Sequence, residues 1–411
     1  MSIIVSQGFA LDFDGAKETA SRALEKEILK VTTWENDQRT YFTEVSSTLK
    51  DAGVTNYFQG KQHKLTPCSY YTINQHHPVP AAGFTETCEL KINSHDAVFN
   101  PHSRTWSDWK SNSIIKDLLH SSHDLRQFIG HTSPGIDELG SRTKANKVEK
   151  IDGPSIYIEF NPHFGHFITH SCAFAIPLLA AKELLEKHQH KNINILSTTP
   201  ISDWAKNLLR VASTAPLNFI QIPISNNVIR ASQLITSPTS WIEWHYCNSN
   251  HFKLCQAIAT NLQQLKGVNQ EPSTIKDKIY LSRSRVTNGL RTSINEKALE
   301  EKLIERGFSI LHPQHMTLSE LIPILSRATL VAGPVGSAMH KILFIENQDQ
   351  LTTLNFCNHL ANNVILIENV CHAKKNFHSF STHDESIQGK SCLRFDIDAC
   401  LSATDSVLKT L

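Results

Sequence analysis

From Ser155 onward, short apolar runs alternate with amphipathic stretches of helical length. The runs Ser155–Phe160, Ile193–Ser197 and Phe219–Pro223 have strand length, and Gly165–His188 and Asp203–Val211 between them carry helical spacing. His251–Leu265 reads as a helix leading into a second series that starts near Lys276. In that series Lys278–Leu281, Ser309–Leu311 and Leu330–Ala332 are predicted strands, with a helix opening at Asn295-Glu296 and another over Leu318–Arg327. Gly307-Phe308 closes the first of these helices, Pro313 breaks the strand that follows, and Gly333-Pro334-Val335-Gly336-Ser337 turns into a further helix. Leu393–Phe395 and Asp398–Thr410 read as a last strand and a closing helix. Strands alternating with helices imply an α/β fold with parallel sheets covered on both faces. Two such units in series leave a cleft at the carboxyl ends of their strands.

The first half is less regular. Ala16–Val31 has helical spacing, Tyr41–Ala52 is a weaker helix, and Ile114–Phe128 is helical. Gly60 to Asn93 reads as polar loop, and Thr132–Asp152 as a surface loop or hinge. The expected division is 1–150 as an N-terminal extension with part of the first domain, 151–270 as the rest of it, and 271–411 as the second domain. A length of 411 residues exceeds one ordinary core and agrees with two. The balance of 40 basic and 39 acidic residues leaves a net charge of +1, which argues against a nucleic-acid surface. Nine cysteines, odd in number and never spaced C-x-x-C, suggest a reduced, cytosolic protein without a zinc site. No run approaches the ~18 apolar residues of a membrane span, and no signal pattern is present, so any membrane contact is expected to be peripheral.

Candidate chemistry concentrates after Leu281. Ser282-Arg283-Ser284-Arg285, then Arg291, follow a strand directly. Arginine forks there suit phosphate oxygens. The turn Gly333–Ser337, with Ala338, presents backbone N–H groups toward the positive end of a helix dipole, which suits the same oxygens. Lys341, one turn on, adds charge toward phosphate or lies outside the site. Plainer readings stand beside these: a solvated basic loop for the arginines, and a tight turn needing glycine for Gly333 and Gly336. Of two acids at helix starts, Glu296 is expected to cap, and Glu320 to bond a ribose hydroxyl. His163, His166 and His170 are spaced three and four apart and share one face if helical. With no matching Cys or acidic cluster nearby, no metal is expected on them.

Tyr280-Leu281-Ser282-Arg283, Arg291, Asn295-Glu296, Gly307-Phe308, Pro313, Glu320, Ala328 and Gly333-Pro334-x-Gly336 together resemble the catalytic domain of glycosyltransferase family 61. Its pattern fits without a gap from Gly307 to Lys341, and Asn161–His170 is similar to the family's His-aromatic segment, so the likeness covers roughly the last two-thirds of the chain. The resemblance implies a GT-B fold of two Rossmann-type domains. It also implies metal-independent, inverting transfer from a nucleotide diphosphate sugar, commonly a UDP-sugar, to a glycan hydroxyl. The C-terminal half would hold the donor and the N-terminal half the acceptor. Surface or capsular polysaccharide would be the product, made in the cytoplasm with peripheral association to membrane machinery and without a cofactor. The implied donor-binding set is Ser282, Arg283, Arg285, Arg291, Glu320, Gly333, Gly336, Ser337, Ala338 and Lys341. The base is His170 or, as the alternative, His166, because His170 stands at the family's carboxylate position and histidine titrates near neutrality.

Departures from the family pattern are Val335 for its histidine, Lys341 for its asparagine, Gln314 for its glutamate, Leu321 for its glutamine and His170 for its acid. They allow a subfamily with altered chemistry or a degenerate, non-catalytic nucleotide- or glycan-binding subunit. Three further motifs are discounted, with a phosphatase acting through Asp12 kept only as a competing class. Ala10–Gly15 resembles a phosphatase nucleophile loop around Asp12 but has Ala16 where that loop needs Thr or Val. Asp396-Ile397-Asp398 is better read as a helix cap, and Gly389-Lys390-Ser391 lacks the upstream glycine of a P-loop.

Overall fold

The computed structural model describes residues 90–100, 105–111, 115, 118, 148–223, 228–237, 240–242, 246–266, 277–286, 292–345, 350–358, 362–371, 375–387 and 390–411, with five short strands before residue 86. Two compact units result. One comprises 42–64 and 85–261, the other 1–41, 65–84 and 262–411.

The unit ending at 261 is built on six strands, β1 (Asn93–Asn100), β2 (Thr105–Asp108), β3 (Val148–Tyr157), β4 (Ile193–Ser197), β5 (Leu217–Gln221) and β6 (Val228–Thr236), in the order β5-β4-β3-β6-β1-β2. The first four in that order are parallel, and β6, β1 and β2 pair antiparallel. The sheet is therefore mixed, where wholly parallel sheets were expected. From β3 the chain moves to β4 and β5 on one side, while β6 lies on the other, so the sheet has a switch point between β3 and β6. β3 begins inside the stretch expected as a hinge.

The helix expected to run unbroken over Gly165–His188 is segmented. Phe164–His166 is α-helical, Phe167–Ser171 π-helical, Cys172–Phe174 α-helical, Ile176–Ala180 a 3₁₀ turn, and Ala181–His188 α-helical again. Pro177 has no N–H to give a regular ladder, and the two halves meet at 57°. The segment is apolar because Phe167–Thr169 and Ser171–Leu178 are buried in the unit. Among the described residues no single helix is long and apolar enough to cross a membrane. Two helices follow the next strands, α1 (Asp203–Ser213) after β4 and α2 (Ser249–Lys266) after β6.

The other unit carries β7 (Lys278–Leu281), β8 (Thr292–Ser293), β9 (Ser309–Leu311), β10 (Leu330–Pro334), β11 (Thr352–Cys357), β12 (Lys375–Phe380), β13 (Thr382–Ile387) and β14 (Lys390–Phe395). Its main sheet runs β9-β7-β10-β11-β12 in parallel, extended by the antiparallel strands Ile3–Gly8, Cys68–Thr72 and Lys30–Thr32. Chain order along the parallel part reverses between β7 and β10, the switch point of this sheet. β8, β14 and β13 form a small separate sheet.

Alternation sorts the faces of β11. Leu354 and Phe356 join a core with Tyr280, Leu299, Leu303, Phe308, Phe395 and Ala403, covered by α3 (Glu296–Glu305) and α6 (Ile397–Leu408). Thr353 and Asn355 face the other way and donate to the buried Glu368 of α5 (Asn362–Cys371), which also pairs with His378 of β12 at 2.9 Å.

Local signals worked where the chemistry was local. α3 ends with Gly307 at φ +86, its N–H bonded to Ile304 O and the Phe308 N–H to Leu303 O. This is a Schellman closure, with Leu303 and Phe308 both entering the core. Asp396 caps α6 by accepting from the Ala399 N–H at 3.0 Å, as expected. Lys390-Ser391 lies in strand β14, and no strand–loop–helix forms there.

Where the first half is described it corrects the expectations. Leu65–Thr66, Cys68–Thr72 and Gly83–Thr85 are strands within the supposed loop, and Lys30–Thr32 is a strand at the end of the supposed helix. Cys-Ser-Tyr-Tyr-Thr is rich in strand formers, a signal diluted by its polar surroundings. The Tyr41–Ala52 helix, the Asp12 motif, and Ile114–Phe128 apart from residues 115 and 118 lie outside the described residues.

Candidate functional site

At the switch point of the second sheet, the loop after β7 and the turn after β10 stand side by side. A Cβ built on Gly336 would come 3.2 Å from Arg283 Nη1, so the guanidinium rests against that turn. Gly336 has φ +149, open to glycine and strained for other residues. Arg283 is half-buried and Arg285 exposed. Arg285 is close enough to His312, just past β9, to help burial in lowering the His312 pKa. These side chains thus gather at the carboxyl ends of three neighbouring strands. Arg291 lies outside the described residues.

Other members of the predicted set prove to have different surroundings. Gly333 lies within β10, where a Cβ would stand 3.1 Å from both Leu281 O and Met339 Sδ, so close packing requires glycine there. The helix expected after the turn is a six-residue 3₁₀ segment, Met339–Phe344, too short for the macrodipole invoked from sequence. Ser337 and Ala338 precede it as a turn, Ala338 buried. Lys341, within the segment, is buried, and desolvation pulls its ammonium down to about 8. The fully buried Ser282 hydroxyl donates to Glu300 of α3 and accepts from the Ser284 N–H, so it ties loop to helix.

Both acids depart from the roles expected from sequence. Glu320 forms a capping box with Thr317 at the start of α4 (Leu318–Leu325): its carboxylate accepts from the Thr317 N–H at 2.8 Å, and Thr317 Oγ1 accepts from the Glu320 N–H at 3.3 Å. Glu296 is buried and accepts from Tyr280 OH and the Arg283 N–H, each at 2.9 Å, and from the Ser293 hydroxyl. Burial pushes its pKa up, and these donors pull it back. Asn295 beside it clasps Phe395, donating to its carbonyl at 2.8 Å and accepting its N–H at 2.9 Å. The pair Asn295-Glu296 therefore fastens helix, strand and basic loop together. Glu296→Ala strands buried donors and is expected to destabilise the protein by about 2–4 kcal/mol, read as the urea midpoint, with Glu296→Gln retaining more. An unchanged midpoint in Glu296→Ala would show that the loop is held otherwise.

The second cluster lies in the other unit, past the carboxyl end of β3. Ser171 Oγ donates to Glu159 O at 2.7 Å and accepts from the Asn161 N–H at 2.9 Å, and Asn161 Oδ1 accepts from the His163 N–H at 2.9 Å. These bonds pin the strand end to the helical segment that follows. His163 and His166 are exposed, their rings 5.8 Å apart. His170 sits in the π-helical turn with only 13% of its side chain exposed, Nε2 3.6 Å from Glu159 Oε2 and its ring edge-on to Phe174 at 5.6 Å. A π turn is rare and often marks a functional position.

Sequence reasoning missed Glu159, eleven residues away in the chain, and His251. The His251 ring is fully buried, 4.9 Å from Trp241, with Nδ1 3.1 Å from Ser240 Oγ. Burial pulls it down to about 3 against the opposite pull of the Ile168 backbone, so it is a neutral support behind the π turn. No one-sequence signal separates such a histidine from an exposed one. Among the described residues no group of three or more His, Cys, Asp or Glu could hold a metal ion. Cys172, Cys247, Cys255, Cys357, Cys371, Cys392 and Cys400 are unbridged and buried.

A family model described as Glycosyltransferase 61 matches residues 164–352, a span that takes in His166, His170, the loop after β7 and the turn after β10. No curated protein matches the chain.

Proposed function

We propose, from the premise that residues 164–352 belong to glycosyltransferase family 61 and that the protein is a glycosyltransferase, that the unit ending at Leu411 binds a nucleotide diphosphate sugar and the other unit presents the acceptor. In this reading the two are Rossmann-type domains of a GT-B fold. The observation that carries it is the Arg283 guanidinium against Gly336 at the sheet's switch point, the place where open α/β sheets bind ligands. As the sugar–phosphate bond loosens, negative charge gathers on the leaving diphosphate. Arg283 and the backbone of the Gly336–Ala338 turn offset it, Arg285 adds longer-range charge, and no metal or cofactor is required. The acceptor hydroxyl attacks the anomeric carbon from the opposite side and inverts it. Its proton passes to His170, whose imidazolium is stabilised by the Glu159 carboxylate 3.6 Å away. The donor is a UDP-sugar, and the product a surface or capsular glycan assembled in the cytoplasm at the inner face of the membrane.

A thermal-shift series with UDP, GDP, CDP, ADP, dTDP and CMP in metal-free buffer tests the donor half. At about 100 times its dissociation constant a ligand adds roughly 2.7 kcal/mol. UDP is expected to raise the midpoint by several degrees, and a response to a different nucleotide would reassign the donor. No shift with any of the six would remove the donor site from this unit.

A further inference from the structure

The unit that holds His170 carries an aromatic feature that the transfer chemistry above does not use. Thr199 Oγ1, in the loop after β4, donates to Phe160 O at 3.3 Å and ties that loop to the end of β3. The tie sets Trp204, in the first turn of α1, onto three phenylalanines. Its ring centroid lies 4.9 Å from that of Phe167, 6.0 Å from Phe164 and 6.3 Å from Phe160. Phe167 is completely buried, yet Trp204 keeps 37% of its surface open. An indole supported by three rings is a rigid flat apolar surface whose ordering has already been completed by folding. The residues just before these rings in the chain are polar. The Asp203 side chain is 94% exposed, and His166, in the residue next to Phe167, is exposed as well.

We propose that Trp204 is the floor of an acceptor subsite that takes one pyranose ring. A pyranose has a face of C–H bonds and a rim of hydroxyls. The C–H face matches the open indole, and the rim hydroxyls match acceptors of the Asp203 and His166 kind. A lipid chain or apolar helix would need a longer apolar surface than a single indole. Phe167, which supports the indole, lies three residues before His170 in the same π-helical turn. This proposal deepens the functional reading and rests on its assignment of this unit to the acceptor.

The test uses the full chain with ¹⁵N-labelled tryptophan, the Trp204 indole signal being identified by its loss in Trp204→Phe. Methyl β-D-glucopyranoside, methyl β-D-galactopyranoside and methyl β-D-xylopyranoside are the probes, with glycerol as the control. At least one pyranoside is expected to shift the Trp204 signal saturably. Its binding, followed by ligand-observed saturation transfer because these variants lack the Trp204 signal, should weaken by at least about tenfold in Trp204→Ala and be largely kept in Trp204→Tyr. The proposal is overturned if no pyranoside moves the signal, if glycerol moves it equally, or if binding survives in Trp204→Ala. Adding UDP to the same sample separates the two readings. A responsive Trp204 in a protein that ignores nucleotides keeps the subsite and removes the donor assignment, and a nucleotide response with a silent Trp204 does the reverse.

Discussion

Replacing His170 with alanine is expected to lower kcat by about 10²–10⁴-fold, the usual contribution of a positioned general base, and to leave nucleotide affinity nearly unchanged. The two effects separate because His170 belongs to the unit proposed for the acceptor, whereas the donor loop and glycine turn belong to the other. His170 is also better prepared for the role than its neighbours. Its side chain is mostly buried, its ring packs on Phe174, and Glu159 faces Nε2, whereas His163 and His166 stand exposed. A carboxylate beside the ring favours the imidazolium formed when the acceptor proton arrives. Loss of the ring removes both the proton sink and its orientation. Steady-state kcat beside a nucleotide thermal shift is the check. Full turnover in His170→Ala together with an inactive His166→Ala would move the base four residues back.

Arg283→Ala is expected to lower kcat/KM by about 10²–10³-fold, the scale seen when one preorganised donor is taken from developing negative charge. Unlike the first variant, it should also weaken UDP binding, because the diphosphate is charged in the ground state too. Glu296 holds the loop through the Arg283 backbone N–H, not its guanidinium, and that bond survives truncation of the side chain. Arg283→Lys should recover little, since a point charge cannot reproduce the planar fork. Calorimetric titration with UDP gives the affinity, and an unchanged value in Arg283→Ala would exclude the residue from the site.

Much of this architecture could be read from sequence because the responsible interactions are short in range. The stop at Gly307-Phe308 needs only hydrogen bonds back to Ile304 and Leu303, and the Asp396 cap needs only the Ala399 N–H. The strands β4, β7 and β9 announce themselves as apolar runs. The π turn around His170 and the 57° bend did not, because composition alone does not show where a helical ladder slips.

The two glutamates show where sequence stops deciding. Ser293-x-x-Glu296 and Thr317-x-x-Glu320 match the same capping pattern. Thr317 and Glu320 bond each other and close their own helix. Glu296 faces Tyr280 OH and the Arg283 N–H, donors from a strand and loop more than ten residues earlier, and their buried bonds outbid a local cap. Arg283 against Gly336, Glu159 against His170 and Trp204 over Phe167 are of the same kind. The chain by itself determined the α/β character and local stops such as Gly307-Phe308 and Asp396, since those follow from periodicity and local hydrogen bonding. Sheet order and packing decided which side chains meet, because that depends on which strands become neighbours and on which distant donors a buried polar group must satisfy.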